Sequence, residues 1–163
     1  MLLHPSQRIL VHLDMNSFFA SVEQQANPRF RDRPLGVCAY LHEQGCVIAA
    51  SREAKRFGMK VGMRVSEARE QIPHAVFVQN DPPKYRSVIS QVFALLHELT
   101  DTVEYYSIDE AFLDLTGFDD PISHGTELRR LVRKWTGIPV SVGIAPTKTL
   151  SKVANHIAKK VLV

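Results

Sequence analysis

The sequence predicts an α+β fold, a mixed sheet with interspersed helices. Short apolar runs at residues 9–13 and 140–144 have the length of strands. Residues 84–99, by contrast, repeat apolar side chains at steps of three and four, as a core-facing helix does. The chain has no internal repeat and no low-complexity segment, which argues against a solenoid. We therefore expect sheets packed on helices around a hydrophobic core.

The first half of the chain is expected to alternate short strands with short helices. Glycine and proline punctuate it at Asn27-Pro28, Gly58 and Pro73, where helical patterns stop. In chain order, the predicted elements are a strand over residues 9–13 that ends at Asp14, a helix over 17–27, a hairpin of strands over 34–40 and 46–50, and helices over 52–57 and 66–72.

The second half begins after Pro82-Pro83 with the strongest helical pattern of the chain, over residues 84–99. Two apolar stretches then flank Asp109-Glu110, which predicts a strand that carries two carboxylates near a bend or bulge. The remaining predicted elements are a helix over residues 126–135, an apolar run over 140–144 and a last helix over 148–160.

Composition limits the classes of protein to consider. With 163 residues, 45% of them hydrophobic, the chain can bury a core, and its net charge of +3 is too small to prove a polyanionic partner. Two cysteines without metal-ligand spacing support neither a disulfide framework nor a zinc site. A reducing cytoplasm is the expected location. No apolar run approaches the length that spans a membrane, so we expect no membrane partner.

Asp14, Asp109 and Glu110 are the candidate catalytic and metal-binding residues. Carboxylates about 4 Å apart repel by roughly 4 kcal/mol at an effective dielectric constant near 20, so they must protonate, separate or hold a cation. Oxygen ligands favour magnesium, and paired ions suit phosphoryl transfer. The alternative is that Asp14 caps the next helix and Asp109-Glu110 is a solvated turn. Spacing alone favours this alternative, because acidic residues at strand ends are common.

Two aromatic and three basic residues are further candidates. Phe18 matches Val22 on the core face of a helix, so Phe19 should project elsewhere, toward the place where a sugar could bind. Ordinary packing also explains this pair. Three basic side chains could neutralise a triphosphate, although solvated basic surfaces would explain them as well. They are Arg52, Lys55 and Lys148.

Four segments together resemble the Y-family DNA polymerases of the DinB and UmuC type. The match runs in order from about Arg8 to Lys160. The segments are LDMNSFFASVE at 13–23, VIAASREAKRFG at 47–58, YSIDEAFLDL at 106–115 and VGIAPTK at 142–148. The resemblance implies a polymerase palm over residues 1–25 and 87–163, with a small fingers subdomain inserted at 26–86. The thumb and little-finger domains of the family would be absent.

The resemblance also implies a role for each candidate. Asp14 and Asp109 would ligate two Mg²⁺ ions, Glu110 would complete the catalytic ion, and the Met15 carbonyl would serve the nucleotide-bound ion. Phe19 would be the steric gate that excludes a ribose 2′ hydroxyl. The amides of Phe18 and Phe19 would face the triphosphate, together with Arg52, Lys55 and Lys148. The second segment departs from many DinB-type members, which have Ser or Thr, Tyr and Arg where this chain has Ala49, Arg52 and Lys55.

The predicted activity is therefore that of a DNA-directed DNA polymerase in damage bypass and repair. It would transfer a deoxynucleoside monophosphate from a deoxynucleoside triphosphate to the primer of a primer-template DNA. A segment that binds a sliding clamp would lie beyond Val163. Two alternatives stay open: a palm and fingers fragment that binds DNA or protein with weak catalysis, and a nucleotide cyclase with a palm fold.

Overall fold

The computed structural model describes residues 8–161, and the chain divides into two compact units. The first unit consists of Met1–Asn16 and Ile89–Val163, and the second is Ser17–Val88. The prediction placed residues 17–25 in the palm, whereas the structure groups them with the second unit. The assignment of palm and fingers to particular residues stays a prediction.

Seven strands and six α-helices are present within the described residues. The strands are β1 (Leu10–Met15), β2 (Leu35–Cys38), β3 (Val47–Ala50), β4 (Val76–Gln79), β5 (Val103–Tyr105), β6 (Glu110–Asp114) and β7 (Val140–Ala145). The helices are α1 (Phe18–Ala26), α2 (Arg52–Arg56), α3 (Val65–Gln71), α4 (Pro82–Leu99), α5 (Pro121–Thr136) and α6 (Lys148–Val161), with one 3₁₀ turn at Pro28–Phe30. This mixture confirms the predicted α+β class.

The first unit contains a four-stranded sheet in the order β5-β6-β1-β7, with antiparallel pairs throughout. The strand β1 is central and all six of its residues are buried. The helix α6 packs closely on β1 and β7. At Gly143 the helix is so near that a Cβ atom would lie 2.1 Å from the carbonyl oxygen of Ser151. The Asn155 side-chain amide donates hydrogen bonds of 2.9 Å to the carbonyls of His12 and Ser141. These contacts fix the position of α6 on the sheet.

The second unit contains a three-stranded sheet in the order β3-β2-β4. The antiparallel pairing of β2 with β3 confirms the predicted hairpin. The strand β4, which pairs in parallel with β2, was not predicted. Like β2 and β3 it has four residues, and its Val76, Phe77 and Val78 form an apolar run with strand propensity that the prediction overlooked. An apolar cluster forms the core here: Cys38, Val47, Ala50, Ala54, Met59, Val65, Ala68 and Ile72.

Three other predictions need correction, and the first two concern residues after α4. Residues 103–115 form two strands rather than one bent strand, because the amides of Tyr106 and Ser107 donate to the Glu110 carbonyl and close a turn. Asp109 lies in this turn, and Glu110 begins β6. The helix α5 begins at Pro121, five residues earlier than predicted, because the Asp120 side chain caps it by accepting a hydrogen bond from the Ser123 amide.

The prolines at 82 and 83 are part of the first turn of α4 instead of a break before it, since the first helical amides need no partner within the helix.

Across residues 8–161, no helix has both the length and the apolar character required to span a membrane.

Candidate active site

Asp14 and Glu110 are neighbours on two central strands of the first unit. Asp14 on β1 pairs in register with Glu110 on β6, and directly opposed residues of a strand pair share one face of the sheet. The Met15 amide donates a hydrogen bond of 2.9 Å to the Asp109 carbonyl. This bond holds Asp109 beside the end of β1 that carries Asp14. Asp14 does not cap α1, because the residue at that position is Ser17. The fold therefore brings together carboxylates that are distant in sequence.

Two lysines of α6 neutralise these carboxylates. The Lys159 ammonium lies 2.6 Å from Oδ1 of Asp14, and the Lys152 ammonium lies 2.7 Å from Oε2 of Glu110. Seven residues make about two helical turns, so both lysines project from the same face of α6. Neither was among the predicted site residues. Their spacing on a predicted helix indicates a shared face. Only the packing of α6 shows that this face points toward Asp14 and Glu110.

The two carboxyl groups differ in their acidity. Burial raises the pKa of Asp14, and the nearby charge of Asp109 raises it further, whereas the contact with Lys159 opposes this change. Burial also acts to raise the pKa of Glu110, but the hydrogen bond and charge of Lys152 outweigh it and lower the pKa overall. The pair thus combines one carboxyl that resists ionisation with one that ionises readily.

The three predicted carboxylates are not arranged as a finished metal-ligand cluster. In the described part of the chain, no three His, Cys, Asp or Glu side chains are grouped so that they could hold a metal ion. Asp109 accepts a hydrogen bond of 3.0 Å from the Ser107 hydroxyl instead. The chemistry of the donors nevertheless fits a divalent cation. Asp14 and Glu110 adjoin one another and attract positive charge, which two ammonium groups supply in this arrangement.

His12 lies on the same strand as Asp14 and is 2% exposed. Its Nε2 atom is 3.7 Å from the Glu110 carboxylate, too far for a hydrogen bond, and its ring packs against Phe112. Burial lowers the pKa of His12, and the charge of Glu110 only partly compensates. We therefore expect a neutral imidazole beside the Glu110 carboxylate. His12 was not among the predicted site residues.

In the second unit, Phe18 and Phe19 are the first two residues of α1. Phe18 is buried together with Val22, as predicted from their spacing, and Phe19 is only partly buried. The two ring planes are tilted by 51°, with 5.6 Å between ring centres. This geometry leaves part of the Phe19 ring accessible, although its role as a steric gate stays a prediction.

Arg52 and Lys55 lie on α2 in the second unit, where both are exposed. The Ser51 hydroxyl caps this helix by accepting a hydrogen bond of 3.2 Å from the Ala54 amide. The Lys55 ammonium donates to the Ser17 hydroxyl at 2.8 Å, immediately before the first residue of α1. A basic side chain therefore reaches the positive end of a helix, where anions are favoured.

Met15 and Lys148 complete the predicted set, both in the first unit. Met15 ends β1 and its side chain is buried. Lys148 begins α6, where its ammonium lies 2.6 Å from the Glu104 carboxylate and 5.5 Å from the Phe112 ring centre. The predicted contacts of the Met15 carbonyl with an ion and of Lys148 with phosphate stay predictions.

Comparison with known proteins gives consistent results. Residues 13–156 match the model of the impB/mucB/samB family. The chain is 35% identical over 158 residues to the DNA polymerase IV of Akkermansia muciniphila, an alignment that covers 94% of this chain and 44% of that protein. It is 41% identical over 156 residues to the DNA polymerase IV of Xanthomonas campestris pv. campestris, covering 93% and 43%. The chain thus spans less than half the length of these curated relatives.

Solved structures agree with the sequence comparisons. The insertion ternary complex of Dbh DNA polymerase matches with a TM-score of 0.85 and 34% identity, over 93% of this chain and 46% of that one. DinB from Sulfolobus solfataricus also matches with a TM-score of 0.85 and 34% identity, over 93% and 45%. The chain therefore belongs to the impB/mucB/samB family and resembles Y-family DNA polymerases in both sequence and fold, as its four motifs predicted.

Proposed function

We propose that this chain provides the palm and fingers of a template-directed translesion DNA polymerase. It would transfer a deoxynucleoside monophosphate to a primer 3′ end and release pyrophosphate, in the bypass and repair of damaged DNA. The observation that carries this proposal is the adjacent pair Asp14 and Glu110, held on two paired strands and neutralised by two lysines. Primer-template DNA and a deoxynucleoside triphosphate are the expected partners, with a sliding clamp as a partner of the whole protein.

The proposed cofactor is a pair of Mg²⁺ ions held by Asp14, Asp109, Glu110 and the Met15 carbonyl. When bound, such ions activate an attacking oxygen and stabilise the leaving one. The carboxylates supply the hard oxygen ligands that magnesium prefers. Because Asp14 resists ionisation, added positive charge next to it would favour its ionised form.

Lys152 and Lys159 would have two tasks in this mechanism. They hold Asp14 and Glu110 in place by direct ion pairs. With cations held by the carboxylates, both ammonium groups would be available to the phosphate oxygens of the nucleotide. Arg52, Lys55 and Lys148 would add further positive charge toward the triphosphate, together with the amides of Phe18 and Phe19 at the start of α1. The Phe19 ring would exclude a ribose 2′ hydroxyl.

The experiment is primer extension with Mg²⁺, comparing the unaltered chain with Asp109→Ala and Glu110→Ala. We expect both substitutions to abolish extension while the protein stays folded by circular dichroism. Asp114→Asn is the matched control, because this carboxylate lies at the other end of β6 and pairs with Arg8 instead of Lys152. The control should extend primers normally. Extension that persists in both alanine variants would contradict the proposed mechanism.

One observation favours the second candidate function, a module that binds DNA or protein with little catalysis. Lysines hold both Asp14 and Glu110, and Asp109 bonds to Ser107, so the carboxylates are engaged within the chain. Binding by such a module would depend mainly on phosphate contacts and would weaken strongly between 50 and 200 mM salt. DNA binding with this salt dependence, but no extension at any Mg²⁺ concentration, would favour the binding module.

A further inference from the structure

The Phe19 ring lies against a second aromatic ring within the second unit. Tyr85 stacks on Phe19 with 4.3 Å between ring centres and only 13° between ring planes. Tyr85 is 1% exposed, whereas Phe19 is partly exposed. One face of the Phe19 ring is therefore covered by a buried partner. The same tyrosine also contacts Phe18 edge-on, with 6.3 Å between ring centres.

The hydroxyl of Tyr85 is held by a buried carboxylate. It donates a hydrogen bond of 2.9 Å to Oε1 of Glu23, which is 5% exposed. Lys84 donates to both oxygens of the same carboxylate, at 3.0 and 2.9 Å. Burial raises the pKa of Tyr85, so the hydroxyl remains protonated and able to donate. Glu23 thus has charge compensation and hydrogen-bond donors on both of its oxygens.

This arrangement links the two rings to one pair of helices. Phe19 and Glu23 are one turn apart on α1, and the side chains that contact them, Lys84 and Tyr85, are adjacent on α4. Stacking is one of the arrangements that aromatic rings favour, and the orientation of such a stack is fixed when one of the rings has a tether. The bond between Tyr85 and Glu23 provides it, because rotating the tyrosine would leave buried polar groups unpaired.

We propose that Tyr85 and Glu23 are positioning residues for sugar selection: the stacked ring and its carboxylate anchor fix the orientation of Phe19. This inference rests on the proposed function of Phe19 as the steric gate. Neither Tyr85 nor Glu23 needs to touch the nucleotide. The phenol ring restricts one face of Phe19, and Glu23 with Lys84 keeps the phenol ring in place. Selectivity for deoxynucleotides should therefore depend on a hydroxyl and a carboxylate behind the gate.

The first test measures single-nucleotide incorporation with Mg²⁺ and compares kcat/KM for a deoxynucleotide with that for the matching ribonucleotide. We expect Tyr85→Leu to lower this ratio about three- to tenfold, the range corresponding to the loss of one aromatic stack. Tyr85→Phe and Glu23→Gln keep the shapes but weaken the anchor, so they should lower the ratio by a smaller factor. The loss should arise mainly from better ribonucleotide use.

Two reference variants separate the possible explanations. Phe19→Leu tests the gate itself and should lower the ratio most. Ile72→Val, in the apolar cluster of the second unit, should reduce thermal stability without changing the ratio. If Phe19→Leu lowers the ratio but the Tyr85 and Glu23 variants do not, the inference is wrong, while Phe19 keeps its proposed role as the steric gate. If Phe19→Leu has no effect, both the gate and the inference are wrong.

The second test observes the Phe19 ring directly and does not require activity. In protein with labelled phenylalanine, NMR line shapes report how fast the ring flips. Flips should be faster in Tyr85→Leu and Glu23→Gln than in the unaltered chain or in Ile72→Val. Unchanged flips in the first two variants would overturn the positioning role. A chain that incorporates no nucleotide would contradict the proposed function, and the ring measurement alone would then decide whether Tyr85 fixes Phe19.

Discussion

Each unit buries one carboxylate next to a lysine, and the two carboxylates have different surroundings. Glu23 in the second unit receives hydrogen bonds from Lys84 and the Tyr85 hydroxyl. Asp14 in the first unit pairs with Lys159 but also adjoins Glu110, and the charge of Asp109 acts on it. A carboxylate enclosed by donors is a structural anchor. Asp14 belongs instead to a group of three acids whose negative charge two lysines offset only in part, and the remaining negative charge favours a cation.

The largest expected effect separates these two roles. Asp14→Asn should abolish both Mg²⁺ binding and nucleotide incorporation, because it removes a charged oxygen ligand without changing the shape of the side chain. Glu23→Gln should bind Mg²⁺ like the unaltered chain. Titration calorimetry measures both affinities. Equal losses of Mg²⁺ affinity in the two variants would remove the distinction between an anchor and a metal ligand.

The next effect concerns the helix that brings Lys159 to Asp14. Gly143→Ala should lower the free energy of unfolding by about 3 kcal/mol, because the new Cβ would overlap the Ser151 carbonyl and the Asn155 amide and push α6 off the sheet. Gly62→Ala is the contrasting control. The new Cβ meets no atom within 4 Å, so the cost comes from the positive φ of 89° and should be about 1–2 kcal/mol. Urea denaturation would test the order, and a larger loss at Gly62 would contradict it.

A smaller effect distinguishes the anchor by stability alone. Glu23→Ala should lower the free energy of unfolding by about 1–3 kcal/mol, because the buried Tyr85 hydroxyl loses its acceptor and Lys84 loses its main partner. Asp14→Asn should cost less, since it relieves repulsion among neighbouring acids while it breaks one ion pair. Thermal and urea unfolding of both variants would measure the difference. A greater cost at Asp14 would reverse the assignment.

The smallest effect is a pH dependence of opposite sign within the acidic pair. The pKa of Asp14 is raised above 3.8, so its contribution to stability is present at low pH and declines as the pH rises above 3.8. The pKa of Glu110 is lowered from 4.5, so its contribution is present above pH 4.5 and is lost as the pH falls below that value.

As the pH rises from 3.5 to 6, Asp14→Asn should therefore gain stability relative to the unaltered chain. Glu110→Gln should lose its disadvantage as the pH is lowered from 6 to 3.5. Melting temperatures across this range would show the two trends. Parallel trends would mean that burial and lysine contacts do not divide the pair as we infer.

Local sequence patterns were sufficient for most of the fold. The apolar run before Asp14 and the three- and four-residue repeat in α4 predicted a strand and a helix correctly, because both patterns depend on spacing along the chain. The short strand β4 was missed although Val76, Phe77 and Val78 have strand propensity, and its parallel pairing with β2 depends on packing that spacing along the chain does not specify. The turn between β5 and β6 was missed for a similar reason. Its hydrogen bonds join backbone groups that no side-chain pattern marks.

The sequence by itself determined the α+β class through the spacing of its apolar residues. It determined the family and the acidic candidates through four ordered motifs, which are specific even without coordinates. Only the tertiary structure decided which groups meet. The pairing of β1 with β6 joins Asp14 to Glu110, and the docking of α6 at Gly143 directs Lys152 and Lys159 toward them. The stack of Tyr85 on Phe19 likewise joins residues of two different helices. Such contacts depend on how elements pack in space, and spacing along the chain does not specify that packing.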